Sequence, residues 1–118
     1  GGDRDRGKRP VMGEIATRLA DRAIVTDDNP RNEDPAAVRA EIVRGIPADR
    51  TNWIEIGEGR RQAITAGMAE LHSAGDLLLI AGKGHETGQT IAGVTCPFDD
   101  AEVALDLAGR TASRAART

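Results

Sequence analysis

The chain has 118 residues, with 16 Lys and Arg against 19 Asp and Glu, for a net charge of −3. That length suits one domain of ordinary size, and the acidic balance argues against a general nucleic-acid surface, which is normally basic. Hydrophobic residues make up 39% of the chain and Trp53 and Phe98 are its only aromatics, so one aliphatic core is expected. A single cysteine, Cys96, excludes an internal disulfide and fits a reducing compartment. No apolar run approaches the roughly 20 residues that span a bilayer.

In chain order, Pro10 stands where a first helical residue would. Val11, Met12, Ile15, Ala16 and Leu19 then recur at helical spacing, which predicts a helix over 10–20. Residues 23–26 are short, apolar and β-branched and read as a buried strand, followed by a polar turn over 27–33. Asp34-Pro35 is an N-cap and first-turn signal for a helix that buries Val38, Ile42 and Val43 and stops at Pro47. Residues 53–56 read as a second strand, broken by Gly57 and Gly59, and a helix over 60–73 follows with Ala63, Ile64, Met68 and Leu71 facing inward. The apolar run 76–81 reads as a third strand, ended by Gly82-Lys83-Gly84-His85-Glu86. A further strand is placed within 89–94. A last helix starts at Pro97 and Asp99, with Val103, Ala104 and Leu107 inward. Residues 110–118 lack apolar periodicity and read as a disordered tail, leaving 1–109 as the domain. This alternation predicts an α/β fold, a Rossmann-like and mostly parallel sheet with helices on both faces. Gly1-Gly2 reads as the end of a strand, so the first strand of the sheet is expected to be missing from the chain.

In an open parallel sheet, ligands sit beyond the carboxyl ends of the strands. Three polar loops meet that description: 1–9, 27–33 and 82–89. If they converge, Arg4 and Arg31 offer planar forks suited to a carboxylate, Asn29 adds an amide and Glu86 can pair with an ammonium. Gly82 exposes a backbone carbonyl with no side chain in the way. Cationic forks and an anion in one crevice suit a zwitterion such as an amino acid. The rival ligand is a nucleotide. Residues 2–8 have the glycine and lysine spacing of a P-loop, but Arg9 stands where Mg²⁺ coordination needs Ser or Thr, and Asp3 and Asp5 would repel phosphates. Gly82-Lys83-Gly84 is a weaker hint still, since a Gly-rich strand end is a common structural turn. The residues alone therefore leave open a stand-alone small-zwitterion-binding module without catalysis and a nucleotide-binding domain.

The stretch 1–10, Gly-Gly-Asp-Arg-Asp-Arg-Gly-Lys-Arg-Pro, resembles the opening of the C-terminal domain of the Mur ligases. Asp28-Asn29-Pro30-Arg31 resembles that family's diaminopimelate-recognition motif, 81–86 resembles a third signature, and Pro97-Phe98-Asp99-Asp100 a fourth. Their order and spacing carry the resemblance over residues 1–109. It implies an ATP-dependent amide-bond ligase of peptidoglycan biosynthesis in the cytoplasm, using ATP and Mg²⁺. Its implied substrates are meso-diaminopimelate and UDP-MurNAc-L-Ala-D-Glu, with no nucleic-acid or membrane partner. In that reaction the γ-carboxylate of the D-glutamyl residue is phosphorylated and an amine of diaminopimelate attacks the acyl phosphate.

The resemblance further implies that Arg4, Asn29 and Arg31 hold the substrate's far carboxylate, with Asp28 and Pro30 completing the motif. Gly82 and Glu86 hold the amine at the same centre. Asp3 falls where the family contacts the ATP ribose, and Lys8 where it contacts phosphate. Arg31 decides the substrate, because lysine-adding relatives lack this arginine and lysine has no second carboxylate. The attacking amine lies at the other end of the substrate, so His85 takes a structural or gating role. No catalytic residue or metal ligand is assigned to this chain. It lacks the ATP-binding central and uridine-binding N-terminal domains of the family, so by itself it is expected to be inactive.

Overall fold

The computed structural model of the protein describes residues 1–117, with side chains through residue 110. Its elements in chain order are α1 (Lys8–Leu19), β1 (Ala23–Val25), α2 (Pro35–Arg44), β2 (Trp53–Glu55), α3 (Arg60–Ala69), β3 (Gly88–Ile91), β4 (Val94–Pro97) and α4 (Asp100–Arg117). The fold is α/β, as expected. β1 and β2 pair in parallel, Ala23 opposite Trp53 and Val25 opposite Glu55, with α2 as the connection between them. The pairing continues past the strands. Ile56 N donates to the Val25 carbonyl at 2.9 Å, and Thr26 Oγ1 donates to the Ile56 carbonyl at 2.7 Å.

Local chemistry explains the helices. Asp34 caps α2 by accepting from Ala36 N at 3.3 Å, with Pro35 in the first turn where no backbone N–H is needed. Asp99 does the same for α4, accepting from Ala101 N at 2.9 Å. Asn52 closes the other end of α1, donating from Nδ2 to the carbonyls of Thr17 (2.9 Å) and Ala20 (3.0 Å). Ala23, Val25, Val38, Ala63 and Ile64 are buried and form the aliphatic core. Successive strand residues point to opposite faces. Ile24 reaches Gly67, so α3 covers one face of β1, and the paired helices α1 and α2 take the other. The α1–α2 approach is so close that a Cβ on Gly13 would overlap the Ile42 carbonyl.

Several boundaries and one strand differ from the sequence reading. α1 begins at Lys8 rather than Pro10, and α3 ends at Ala69 rather than Ser73. The run 76–81 is not a strand, because it pairs with no other strand among the described residues. Only one side of it is covered: Leu78 packs on α3 at Gly67, whereas Leu77 and Leu79 are 89% and 82% exposed. Arg60 ties the end of this run to the loop after β1, donating to the Asp27 and Ala81 carbonyls at 3.0 Å each. The single strand expected within 89–94 is an antiparallel hairpin, β3 with β4. Ala92 (φ 52°) and Gly93 (φ 79°) form its two-residue turn, the geometry that matches strand twist. The parallel sheet is therefore small, a two-stranded pair, and a separate two-stranded hairpin accompanies it. The strand expected upstream of Gly1 lies outside the described residues. The tail expected over 110–118 falls on residues whose side chains, past residue 110, also lie outside them.

A buried cation fastens the start of the chain to α2. Arg9 is 2% exposed. It donates to Glu33 Oε2 (2.6 Å), Glu41 Oε2 (2.6 Å) and the Gly1 carbonyl (2.9 Å), and its Nε has no partner among the described residues. Arg6 also pairs with Glu41. The hydrogen bond from Arg9, reinforced by the Asp3 backbone N–H, pulls the Glu33 carboxyl from 4.5 down to about 2. The bonds from Arg6 and Arg9 do the same for Glu41, to about 2.

Two predictions follow from this packing. Gly13→Ala loses about 1–3 kcal/mol of unfolding free energy through overpacking, whereas Gly109→Ala, where an added Cβ meets nothing within 4 Å, gains up to about 1 kcal/mol of helix propensity. Urea unfolding of both variants checks the contrast. Both glutamates have depressed folded pKa values, so their contribution to stability is complete above 4.5 and is lost as the pH falls toward about 2. In Arg9→Met the fall of the urea midpoint across that window is shallower than in the parent. Equal slopes would contradict the assignment.

Candidate functional site

The three polar loops meet at one rim, beyond the carboxyl end of β1. Loop 27–33 is the centre. Pro30 is fully buried and Asn29 is 7% exposed. Asn29 is a bracket: its Oδ1 accepts from Thr90 N at 2.8 Å, while its Nδ2 faces Glu86 Oε2 at 3.4 Å and the Gly88 carbonyl at 3.5 Å. Asp28 completes the join. Its carboxylate lies 2.9 Å from the Gly1 nitrogen, and its carbonyl accepts from Gln89 Nε2 at 3.0 Å.

Arg31 sits in left-handed backbone (φ 56°), a conformation that costs a non-glycine residue about 1–2 kcal/mol. It is kept there by β3. Arg31 N donates to the Thr90 carbonyl at 2.6 Å, and the Arg31 carbonyl accepts from Ala92 N at 2.9 Å. The result is a guanidinium aimed across the rim. Nη1 donates to the Gly2 carbonyl at 2.7 Å, and Nη2 pairs with Glu86 Oε2 at 3.2 Å. The Arg31 and Glu86 side chains are 20% and 37% exposed, so both remain reachable from solvent.

The first loop closes the rim from the other side. Gly2 N donates to the Asn29 carbonyl at 2.8 Å, and Gly2 is packed so tightly that a Cβ would overlap the Pro30 carbonyl. Arg4 is exposed and pairs with no described residue. Its Cγ lies 3.6 Å from where a Cβ on Gly1 would stand, so the side chain rises from the same rim. Gly82 (φ 105°) turns the third loop against Asp28; a Cβ there would meet the Asp28 Cβ at 3.2 Å.

The residues named from the sequence thus fall into two groups. Asp28, Asn29, Pro30, Arg31, Gly82 and Glu86 share one locus, with Arg4 at its edge. Asp3 and Lys8 are exposed and stand apart from it. Asp3 Oδ2 accepts from Asn32 Nδ2 at 3.2 Å, and Lys8 opens α1. The P-loop hint is overturned by Arg9, buried under Glu33 and Glu41 where a phosphate-binding loop keeps its donors free. Lys83 is equally withdrawn: its ammonium points inward onto two backbone carbonyls.

Sequence reasoning missed the residues that hold the loops: Arg9, Arg60, Lys83, Gln89 and Thr90. Arg60, 4% exposed, forms a two-pronged pair with Asp100, at 2.7 and 2.6 Å. A signal existed for the arginines. Both stand in the first turn of a helix, where the dipole disfavours a cation, so each needed a carboxylate from elsewhere. Chemically, the rim offers two guanidinium groups, from Arg4 and Arg31, and two carboxylates, of which Glu86 is the more exposed and Asp28 lies against the Gly1 nitrogen. No group of three His, Cys, Asp or Glu side chains among the described residues is placed to share a metal ion. His85 is exposed and pairs with no described residue.

A profile of the family described as Mur ligase, glutamate ligase domain, matches residues 1–84. UDP-N-acetylmuramoyl-L-alanyl-D-glutamate–2,6-diaminopimelate ligase of Caulobacter vibrioides is 63% identical over 100 residues, covering 85% of this chain and 19% of that protein. The ligase of the same name from Brucella melitensis is 56% identical over 111 residues, covering 93% of this chain and 22% of that protein. A solved structure bearing that ligase name superposes with a TM-score of 0.82 at 45% identity, covering 94% of this chain and 22% of the other. The chain therefore spans about a fifth of the length of the curated relatives it matches. With that profile match covering residues 1–84, more than half of the chain, the chain belongs to the Mur ligase family, as its glutamate ligase domain.

Proposed function

We propose that this chain is the amino-acid-binding domain of an ATP-dependent ligase that joins meso-diaminopimelate to UDP-MurNAc-L-Ala-D-Glu in peptidoglycan synthesis. The observation that carries the proposal is the Arg31–Glu86 pair, 3.2 Å across a rim built from loops 55 residues apart, with the unpaired Arg4 beside it. A zwitterionic centre supplies one partner for each charge. Its carboxylate takes Arg31 and Arg4, and its ammonium takes Glu86 and the Gly82 carbonyl. Asn29 fixes the spacing. The rim holds one end of the substrate and leaves the other amine to react.

Lysine would satisfy Glu86 but bring no second carboxylate to Arg31 and Arg4, and a site built to bind a group that a rival substrate lacks discriminates strongly. The names of the relatives support the same choice. Asp3 and Lys8, exposed beyond the rim, are the contacts this domain offers to ATP. ATP with Mg²⁺ supplies the activation of the D-glutamyl carboxylate, and the groups that hold it belong to the rest of the ligase. This domain's part is to deliver an oriented amine. The nucleotide-linked substrate assigns the work to the cytoplasm, and no described helix is long and apolar enough to cross a membrane.

The test is Arg31→Ala in the full-length ligase. Losing a charge-assisted contact of this kind costs about 2–5 kcal/mol, roughly 30- to 5,000-fold in kcat/KM for diaminopimelate, with the KM for ATP unchanged. Unaltered turnover of diaminopimelate would overturn the role of Arg31.

A further inference from the structure

We infer that Lys83 is the positioning residue of this site, setting where the Glu86 carboxylate stands by clamping the loop that carries it. The inference rests on the function proposed above. Lys83 is 3% exposed. Its ammonium donates to the Glu86 carbonyl at 2.9 Å and to the Gly88 carbonyl at 2.8 Å, and it lies 6.0 Å from the centre of the Phe98 ring.

The loop is short and turns twice, at Gly82 (φ 105°) and Gly84 (φ 58°). Its own backbone contributes the bond from Glu86 N to the Lys83 carbonyl, 3.2 Å, and a bond from Phe98 N to the Thr87 carbonyl, 2.8 Å. The lysine supplies the cross-brace. Because Asn29 Nδ2 also faces the Gly88 carbonyl, the same brace sets Glu86 relative to the loop of Arg31.

The energetics point to the same role. Lys83 forms no ion pair with a carboxylate among the described residues; carbonyl dipoles and one ring face stand in for it. Burying an ammonium in this way is expensive, and an apolar side chain of similar volume is often no worse for stability. What an apolar replacement does not restore is the pair of charge-assisted bonds to the loop. The residue therefore separates two properties that a purely structural side chain would change together.

The experiment is Lys83→Met in the full-length ligase, with Glu86→Gln beside it. The expected result is a KM for diaminopimelate about 10- to 100-fold higher, the scale of a misplaced contact. Saturated kcat and the KM values for ATP and the nucleotide-linked acid stay near the parent's, and the unfolding midpoint shifts little. If Lys83→Met yields no folded enzyme, Lys83→Gln, which keeps a shorter donor, is read the same way. An unchanged KM for diaminopimelate would overturn the inference, as would KM values that rise together for all three substrates. A defect in Glu86→Gln without one in the lysine variants removes only the role of Lys83. No defect in either removes the site reading and this inference with it.

Discussion

Everything proposed for this domain depends on one contact: the Arg31 guanidinium facing the Glu86 carboxylate across a rim open to solvent. Two opposite charges fixed a few ångströms apart make a template for a molecule that carries both. The contact is demanding to build. Arg31 is held in left-handed backbone by two hydrogen bonds to β3 and its turn, and Glu86 sits on a loop braced from beneath by a buried lysine. Such strain persists only where the surroundings over-determine it.

Those surroundings are mostly buried cations. Arg9 fixes the first loop and α2 to one another, Arg60 joins the loop after β1, the run 76–81 and the start of α4, and Lys83 closes the third loop. Each donates to at least one backbone carbonyl, so each controls chain path rather than charge alone. In a domain with only two aromatic residues and two short pairs of strands, this is how separate loops come to share a rim. The arrangement also separates the cations that hold the fold from those left for a ligand: Arg9, Arg60 and Lys83 are buried, while Arg4 and Arg31 remain accessible.

Much of this was legible in the sequence where the signal is local. Asp34-Pro35 announced α2 because capping and the missing proline N–H act within one turn. The runs at 23–26 and 53–56 announced β1 and β2, and the charged residues past strand ends pointed to the loops that meet at the rim. What depends on a distant partner was not legible. The run 76–81 has every strand signal, yet a strand exists only with a hydrogen-bonded neighbour, which periodicity cannot supply. The hairpin was read as one strand because Ala92 stands at the first turn position, where Asn, Asp or Gly would have marked it. The role of Lys83 was not legible, because its place between two glycines says nothing about which way the side chain turns. Arg9 and Arg60 needed Glu33, Glu41 and Asp100, which lie 24 to 40 residues away.

The most direct measurement is a crystal structure of the full-length ligase with meso-diaminopimelate bound. The account predicts the far carboxylate about 3 Å from the Arg31 guanidinium, within ordinary hydrogen-bond reach, and the ammonium of the same centre against Glu86. A substrate seated away from this rim, or one whose carboxylate leaves Arg31 still paired with Glu86, would contradict it.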